Sequence, residues 1–140
     1  MKRALISAAL LMALATGWGV QTLWAKHLDE ANRVFELRIY SVLPGRMDAL
    51  NARFKNHTNP LLTKHHITLV GFWQPQGGDA NKKLYYLVAH KNRKEGEANW
   101  TTFSNDPDWK VARDASEKDG KIVEKIERVW LDPTEYSMMK

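Results

Sequence analysis

The sequence predicts an α+β domain with the element order β-α-β-β-α-β, preceded by an N-terminal signal or anchor helix. Three observations predict it. Residues 34–40 alternate in character with period two, the pattern of a strand with unlike faces. Met47, Leu50, Phe54, His57 and Leu61 recur at helical spacing. Two further strand-like runs, a second helical region and a closing strand follow in that order. The 140 residues, 44% hydrophobic and 26% charged, suit one ordinary domain and exclude a disordered, fibrous or multi-span chain.

Residues 1–25 read as an address. They carry no acid and only two bases, Lys2 and Arg3, ahead of residues 4–15, where Ser7 is the one polar side chain. A basic start before an apolar stretch is what export requires, because the positive end stays in the cytoplasm while the apolar part enters the membrane. Ala13-Leu14-Ala15 fits a small-x-small cleavage site, and Ala25 offers a later one. The alternative is an uncleaved anchor over residues 4–25, weakened by Thr16, Gly17, Gly19, Gln21 and Thr22. On either reading the domain lies outside the cytoplasm, periplasmic or secreted, and any membrane contact runs through residues 4–25. The absence of cysteine excludes disulfides and thiolate metal sites. Residues 26–32 form a spacer, and residues 33–138 form the domain.

In that domain Phe35, Leu37 and Ile39 alternate with Glu36, Arg38 and Tyr40. Pro44-Gly45 ends the strand, and the first helix follows. Pro60 removes a backbone donor, so a kink or a restart is expected there. Residues 67–74 and 84–90 are β-rich runs flanking the turn chemistry of Pro75-Gln76-Gly77-Gly78-Asp79. Residues 95–103 and 107–118 read as helical, with Asn105 or Asp106 as a cap, Pro107 at the first position and Gly120 as a stop. Residues 122–131 supply the last strand. This order is the ferredoxin-like one. Two helices cover one sheet face. If Phe35, Leu37 and Ile39 face those helices, then Arg38, Tyr40, Trp73, Tyr86, His90 and Trp130 are candidates for the other face. The adjacent Tyr85 and Tyr86 leave the phase of the later strands open. An aromatic-rich face of that size implies a partner, most economically a second copy.

The residues at 34–40, Leu43-Pro44-Gly45-Arg46-Met47-Asp48-Ala49-Leu50, His57, Val70-Gly71-Phe72-Trp73, Tyr86-Leu87-Val88-Ala89-His90, Trp100, Phe103, Asp106-Pro107-Asp108-Trp109, Ser116, Gly120-Lys121-Ile122-Val123 and Leu131-Asp132-Pro133-Thr134-Glu135-Tyr136-Ser137 together resemble the NIPSNAP family. The resemblance spans about residues 33–138. It implies the dimeric α/β-barrel superfamily, in which two ferredoxin-like units pack their sheets into a barrel with the helices outside. Relatives there include haem-degrading and cofactor-independent monooxygenases. The NIPSNAP branch has no agreed enzymatic activity, so the resemblance transfers fold better than function. Two positions depart from the pattern: Pro60, and His66 where a glycine is common. His66 is therefore expected at positive φ, which histidine tolerates better than most side chains.

The candidate ligand-binding residues are Arg38, Tyr40, His57, Trp73, Tyr86 and His90. Arg38 is either paired with Glu36, Glu124 or Glu127, or clamps an anion or carbonyl. His57 lies in the apolar stripe and so is expected to point at the sheet, as a core histidine or a ligand contact. Tyr86 and His90 share a phase and would line one wall, and Trp73 and Trp130 are placed to reach the barrel interior. Trp100, Phe103 and Trp109 read as packing, and His65 as a complement to a helix C-terminus. His65 and His66 diverge, and no HxH or HExxH spacing occurs, so no metal is expected. No phosphate loop or nucleophile elbow is present. Residues 26–140 carry 19 basic against 16 acidic side chains, about +3, too little to advertise nucleic acid.

The function expected is an exported homodimeric barrel that binds a small, partly apolar molecule or a protein partner, without a cofactor. The alternative is a cofactor-independent oxygenase or isomerase acting on an aromatic or enolic substrate. There His57 or His90 would take the proton, Arg38 would hold the oxyanion and Tyr40 would donate a hydrogen bond. A haem-dependent version would need His57 or His90 as axial ligand.

Overall fold

The structure is a computed structural model and describes residues 33–140. The signal, anchor and spacer readings of residues 1–32 lie outside the described residues. Among the described residues, no helix is long and apolar enough to cross a membrane.

Strand β1 (Val34–Val42) leads through a turn with Gly45 at φ +73° into helix α1 (Met47–Arg53). A π-helical segment (Phe54–Thr58) and helix α2 (Asn59–Lys64) follow without a break. Arg53, Phe54, Thr58 and Asn59 all keep right-handed helical angles, and the α-helix resumes at Asn59 with Pro60 in its first turn, where its missing donor is harmless. The Asn59 N–H donates five residues back to the Phe54 carbonyl, and Thr58 Oγ1 donates to the Arg53 carbonyl at 3.2 Å. This wide turn precedes Pro60, whose ring would crowd the carbonyl four residues earlier in a tight helix. The extra residue shifts the helix phase. The buried series runs Leu50, Phe54, Thr58, Leu62, and His57 is exposed rather than aimed at the sheet.

α2 ends as expected of His66, at φ +57°. The Ile67 N–H reaches the Leu62 carbonyl at 3.0 Å and the His66 N–H reaches Thr63 at 3.1 Å, the helix-ending arrangement that favours glycine at this position.

Strands β2 (Thr68–Trp73) and β3 (Lys83–His90) form the hairpin, its loop holding a 3-10 turn (Gly77–Asp79). Helix α3 (Arg93–Asn105) is capped by Asn92, which accepts from the Glu95 N–H at 2.9 Å. Asp106 caps helix α4 (Pro107–Ser116), accepting from the Asp108 N–H at 2.7 Å, with Pro107 at the start where its missing donor is harmless. Strand β4 (Val123–Leu131) closes the fold. All pairings are antiparallel in the order β2-β3-β1-β4, the ferredoxin-like arrangement.

The register decides which strand residues meet the helices. Arg38 stands opposite Tyr86, Tyr40 opposite Leu84, Glu36 opposite Val88 and Trp130, and Phe72 opposite Tyr86. From that face Tyr40, Phe72, Leu84, Tyr86 and Val88 pack with Leu50, Phe54, Leu62, Trp100 and Phe103 in one core. Each fully buried Leu, Val or Phe there contributes roughly 1.5–3 kcal/mol. The opposite face carries Phe35, Leu37 and Ile39 beside Ala89, Leu87 and Tyr85, with Leu131 and Val129 on the neighbouring strand. The expected phase is thus reversed: Arg38, Tyr40, Tyr86, His90 and Trp130 face the helices, and of the predicted set only Trp73 lies on the open face, 53% exposed.

Candidate functional site

The helix-facing side of β1 holds a carboxylate, a guanidinium and a phenol in succession: Glu36, Arg38 and Tyr40. Period two puts all three on one face, and α3 lies over the first two. Glu36 is fully buried, at 0% exposure. Its Oε2 accepts from the Trp100 indole at 2.5 Å and lies 3.3 Å from His90 Nε2, while Oε1 is 3.5 Å from Arg38 Nε. The Arg38 guanidinium carbon stands 3.8 Å from the centre of the Trp100 ring, a cation–π contact shielded from water. Trp100 therefore serves both charges, with its edge on the acid and its face under the base.

Gly96, one turn before Trp100, makes the close approach possible. A Cβ there would sit 2.7 Å from the Trp130 ring and 2.8 Å from the His90 ring. On the other side of Arg38, Tyr86 donates to the Tyr40 hydroxyl at 3.0 Å, and Phe54 and Phe72 pack around Tyr86 with ring centroids 5.2 and 5.4 Å away.

The electrostatics agree with the geometry. Burial pushes the Glu36 carboxyl up, but the His90 hydrogen bond, the Arg38 charge and the Trp100 N–H outweigh it and hold the group below the usual carboxylate range. Burial opposes the charge on Arg38, yet the neighbouring Tyr86, Tyr40 and Glu36 keep it raised, so it is cationic throughout the accessible range. Burial, then Tyr40, raises the Tyr86 phenol well above its ordinary value, and it stays protonated.

Glu36 Oε1 and Arg38 Nε have each other as ion-pair partners, while the buried His90 Nδ1 has no hydrogen-bond partner among the described residues. Buried polar groups are almost always satisfied, which singles out His90 Nδ1 within the cluster. The helix layer stops short of β4, leaving Ile126 46% exposed and Arg128 exposed beside Tyr40 and Arg38.

Of the predicted residues, Arg38, Tyr40, Tyr86 and His90 are brought together, under the helices rather than on the open sheet face. His57 is exposed on the first helix, and Trp73 lies on the opposite face of the sheet. Glu36 and Trp100 were not singled out as site residues. The signal for Trp100 was its spacing from Gly96 and Phe103 on one helix face, and that pattern reads equally well as packing. His65 does more than complement a helix end. Its Nε2 lies 2.6 Å from Asp106 Oδ2, and Lys64 Nζ is 2.8 Å from the same oxygen, tying α2 to the start of α4. Among the described residues, no three His, Asp or Glu side chains gather as a metal site.

Residues 35–138 match the family model described as NIPSNAP. The chain belongs to the NIPSNAP family. A NIPSNAP family protein of unknown function from Agrobacterium tumefaciens superposes with a TM-score of 0.68 at 18% identity, over 79% of this chain and 96% of that one. A NIPSNAP-like domain protein from Burkholderia xenovorans gives 0.66 at 15% identity, over 76% and 90%. SnoaB, a cofactor-independent oxygenase from Streptomyces nogalater, gives 0.51 at 10% identity, over 74% and 95%. At these identities the likeness shows a shared fold, and a fold does not carry a reaction with it. No curated protein matches the chain.

Proposed function

We propose that this NIPSNAP chain is an exported, homodimeric barrel protein that binds a small, partly apolar molecule between its sheet and its helices. The observation that carries the binding site is the buried polar cluster of Glu36, Arg38 and His90, in which His90 Nδ1 has no hydrogen-bond partner. Beside them the Tyr40, Phe54, Phe72 and Tyr86 rings supply an apolar wall. The basic-then-apolar leader supports export. The homodimer is supported by the open face of the sheet, where Trp73, Val129 and Leu131 remain exposed beside Leu37 and Ile39. Trp73 serves the contact between copies on this reading, not the ligand.

A specific observation also favours the oxygenase or isomerase alternative. His90 has one nitrogen held by the Glu36 carboxylate and the other unpartnered, the arrangement of an oriented general base. In that reading His90 Nδ1 takes the proton and Arg38, with Tyr40, holds the developing oxyanion. The haem version does not fit these residues: His57 is exposed on the first helix, and His90 Nε2 is held by Glu36.

Native mass spectrometry of the chain purified from the exported fraction of its own host tests the proposal. A dimer with a retained small-molecule mass, lost in Arg38→Met, is the expected result. A bare monomer would overturn it.

A further inference from the structure

Strand β4 ends the sheet, so the N–H and C=O groups along its outer edge face no other strand among the described residues. It is nine residues long, holds neither proline nor glycine, and residues 124–129 are all exposed. Free edges of this length are normally blunted, because they invite pairing with another chain. The charges on β4 do not blunt it against a second copy of itself. Run in opposite directions about Ile126, the strand complements itself: Lys125 falls opposite Glu127, Glu124 opposite Arg128, and Ile126 opposite Ile126. A two-fold axis through Ile126, perpendicular to the sheet, keeps each side chain on its own face, as antiparallel pairing requires.

Shifting the axis destroys the match. Centred on Lys125, it sets two lysines against each other and Glu124 against Ile126. Centred on Glu127, it brings two glutamates together and sets Arg128 against Ile126. The structure adds two reasons for the Ile126 register. Lys125 and Glu127 share the open face and stand 3.4 Å apart, so two copies would gather four charges of alternating sign. Arg128 lies opposite the like-charged Arg38 on β1, a repulsive placement, and Glu124 of the second copy would give it an acid. The ladder ends at Glu124, the extra residue of the β4 bulge, because Val123 is buried in the core. We propose that β4 joins two copies of this chain edge to edge, antiparallel about Ile126, in one continuous sheet. The contact uses the strand edge and leaves the open sheet face free, so it is independent of the homodimer contact proposed above.

The chain has no cysteine, which makes cross-linking a direct test. Directly opposed residues of an antiparallel pair have Cα atoms about 4.5–5.5 Å apart, within disulfide reach. In a glutathione redox buffer, full-chain Ile126→Cys should form a disulfide-linked dimer about tenfold faster than Val111→Cys, which sits 70% exposed on α4 and meets a second copy only by collision. Adding Lys125→Glu to Ile126→Cys sets like charges together twice per contact and should slow the cross-link about tenfold. Adding Glu127→Lys as well restores the opposition and should restore the rate. All three positions are exposed, so the variants keep the fold. Ile126→Cys that cross-links no faster than Val111→Cys overturns the proposal, as does a charge exchange that stays as slow as Lys125→Glu alone.

Discussion

Replacing Glu36 by glutamine separates two pictures of strand β1. In one, Glu36 faces water or a loosely filled barrel. In the other, it is sealed beneath α3 with a cation beside it. The structure gives it 0% exposure, a 2.5 Å bond from Trp100, a 3.3 Å contact with His90 and an ion pair to Arg38 at 3.5 Å. Glutamine keeps the size and removes the charge, leaving Arg38 as an uncompensated buried cation. Breaking a buried pair from one side costs about 3–5 kcal/mol. With a urea m-value of roughly 2 kcal/mol/M for a domain of this size, the unfolding midpoint should drop by about 2 M. The double variant Glu36→Gln/Arg38→Met removes both charges and should recover about 1–3 kcal/mol of that loss, the size of coupling found between touching groups. Glu127, opposite Ile39 on the open face and exposed, provides the control, and Glu127→Gln should stay within about 0.5 kcal/mol of the parent. Urea curves followed by tryptophan fluorescence read all four proteins. If Glu36→Gln and Glu127→Gln shift the midpoint equally, the buried-pair reasoning is wrong.

Other sites give independent checks. His66 stands at φ +57°, so His66→Gly should stabilise the fold by about 0.5–1 kcal/mol and raise the thermal midpoint by a few degrees; a lower midpoint would contradict the strain. Gly96→Ala forces a Cβ to within 2.7 and 2.8 Å of the Trp130 and His90 rings and should destabilise by about 1–3 kcal/mol, whereas Gly78→Ala meets nothing within 4 Å and should be neutral. Acid should unfold the protein through Glu36 and Asp106. Glu36 is held below its ordinary 4.5 against burial by His90, Arg38 and Trp100, and Asp106 well below its ordinary 3.8 by Lys64 and His65. A carboxyl depressed in the folded state contributes stability above its unfolded value and loses it as pH falls through the folded one. The urea midpoint should therefore fall steadily from about pH 4 downward, and less steeply in Asp106→Asn; equal slopes in the two proteins would remove Asp106 from the account.

Element order was legible because each element carries its own local pattern. The alternation at 34–40, the Asp106-Pro107 cap and the helix-ending His66 depend on neighbours within a few residues, and all three stand where their spacing puts them. The strand phase was not legible. Alternation distinguishes two faces of β1 but does not say which meets the helices. Here the more apolar face, with Phe35, Leu37 and Ile39, is the one the helices leave uncovered. The face with Glu36 and Arg38 goes inward because Trp100 and His90, more than fifty residues away in sequence, neutralise its polarity. A single-strand pattern cannot contain that information. His57 shows the same limit within a helix. A period of 3.6 carried from Phe54 puts it on the buried side, and one π turn before Pro60 hands that place to Thr58.

The Trp100 indole N–H offers the most direct measurement of the central claim, that Glu36, Arg38, His90 and Trp100 form one buried cluster between sheet and helix. In a 15N-edited spectrum of the full chain, its resonance should lie downfield of the other indoles, as a short charge-assisted bond requires. It should also resist exchange with deuterium far longer than the indole of Trp73, which is 53% exposed. A Trp100 indole that exchanges as fast as that of Trp73 would contradict the account.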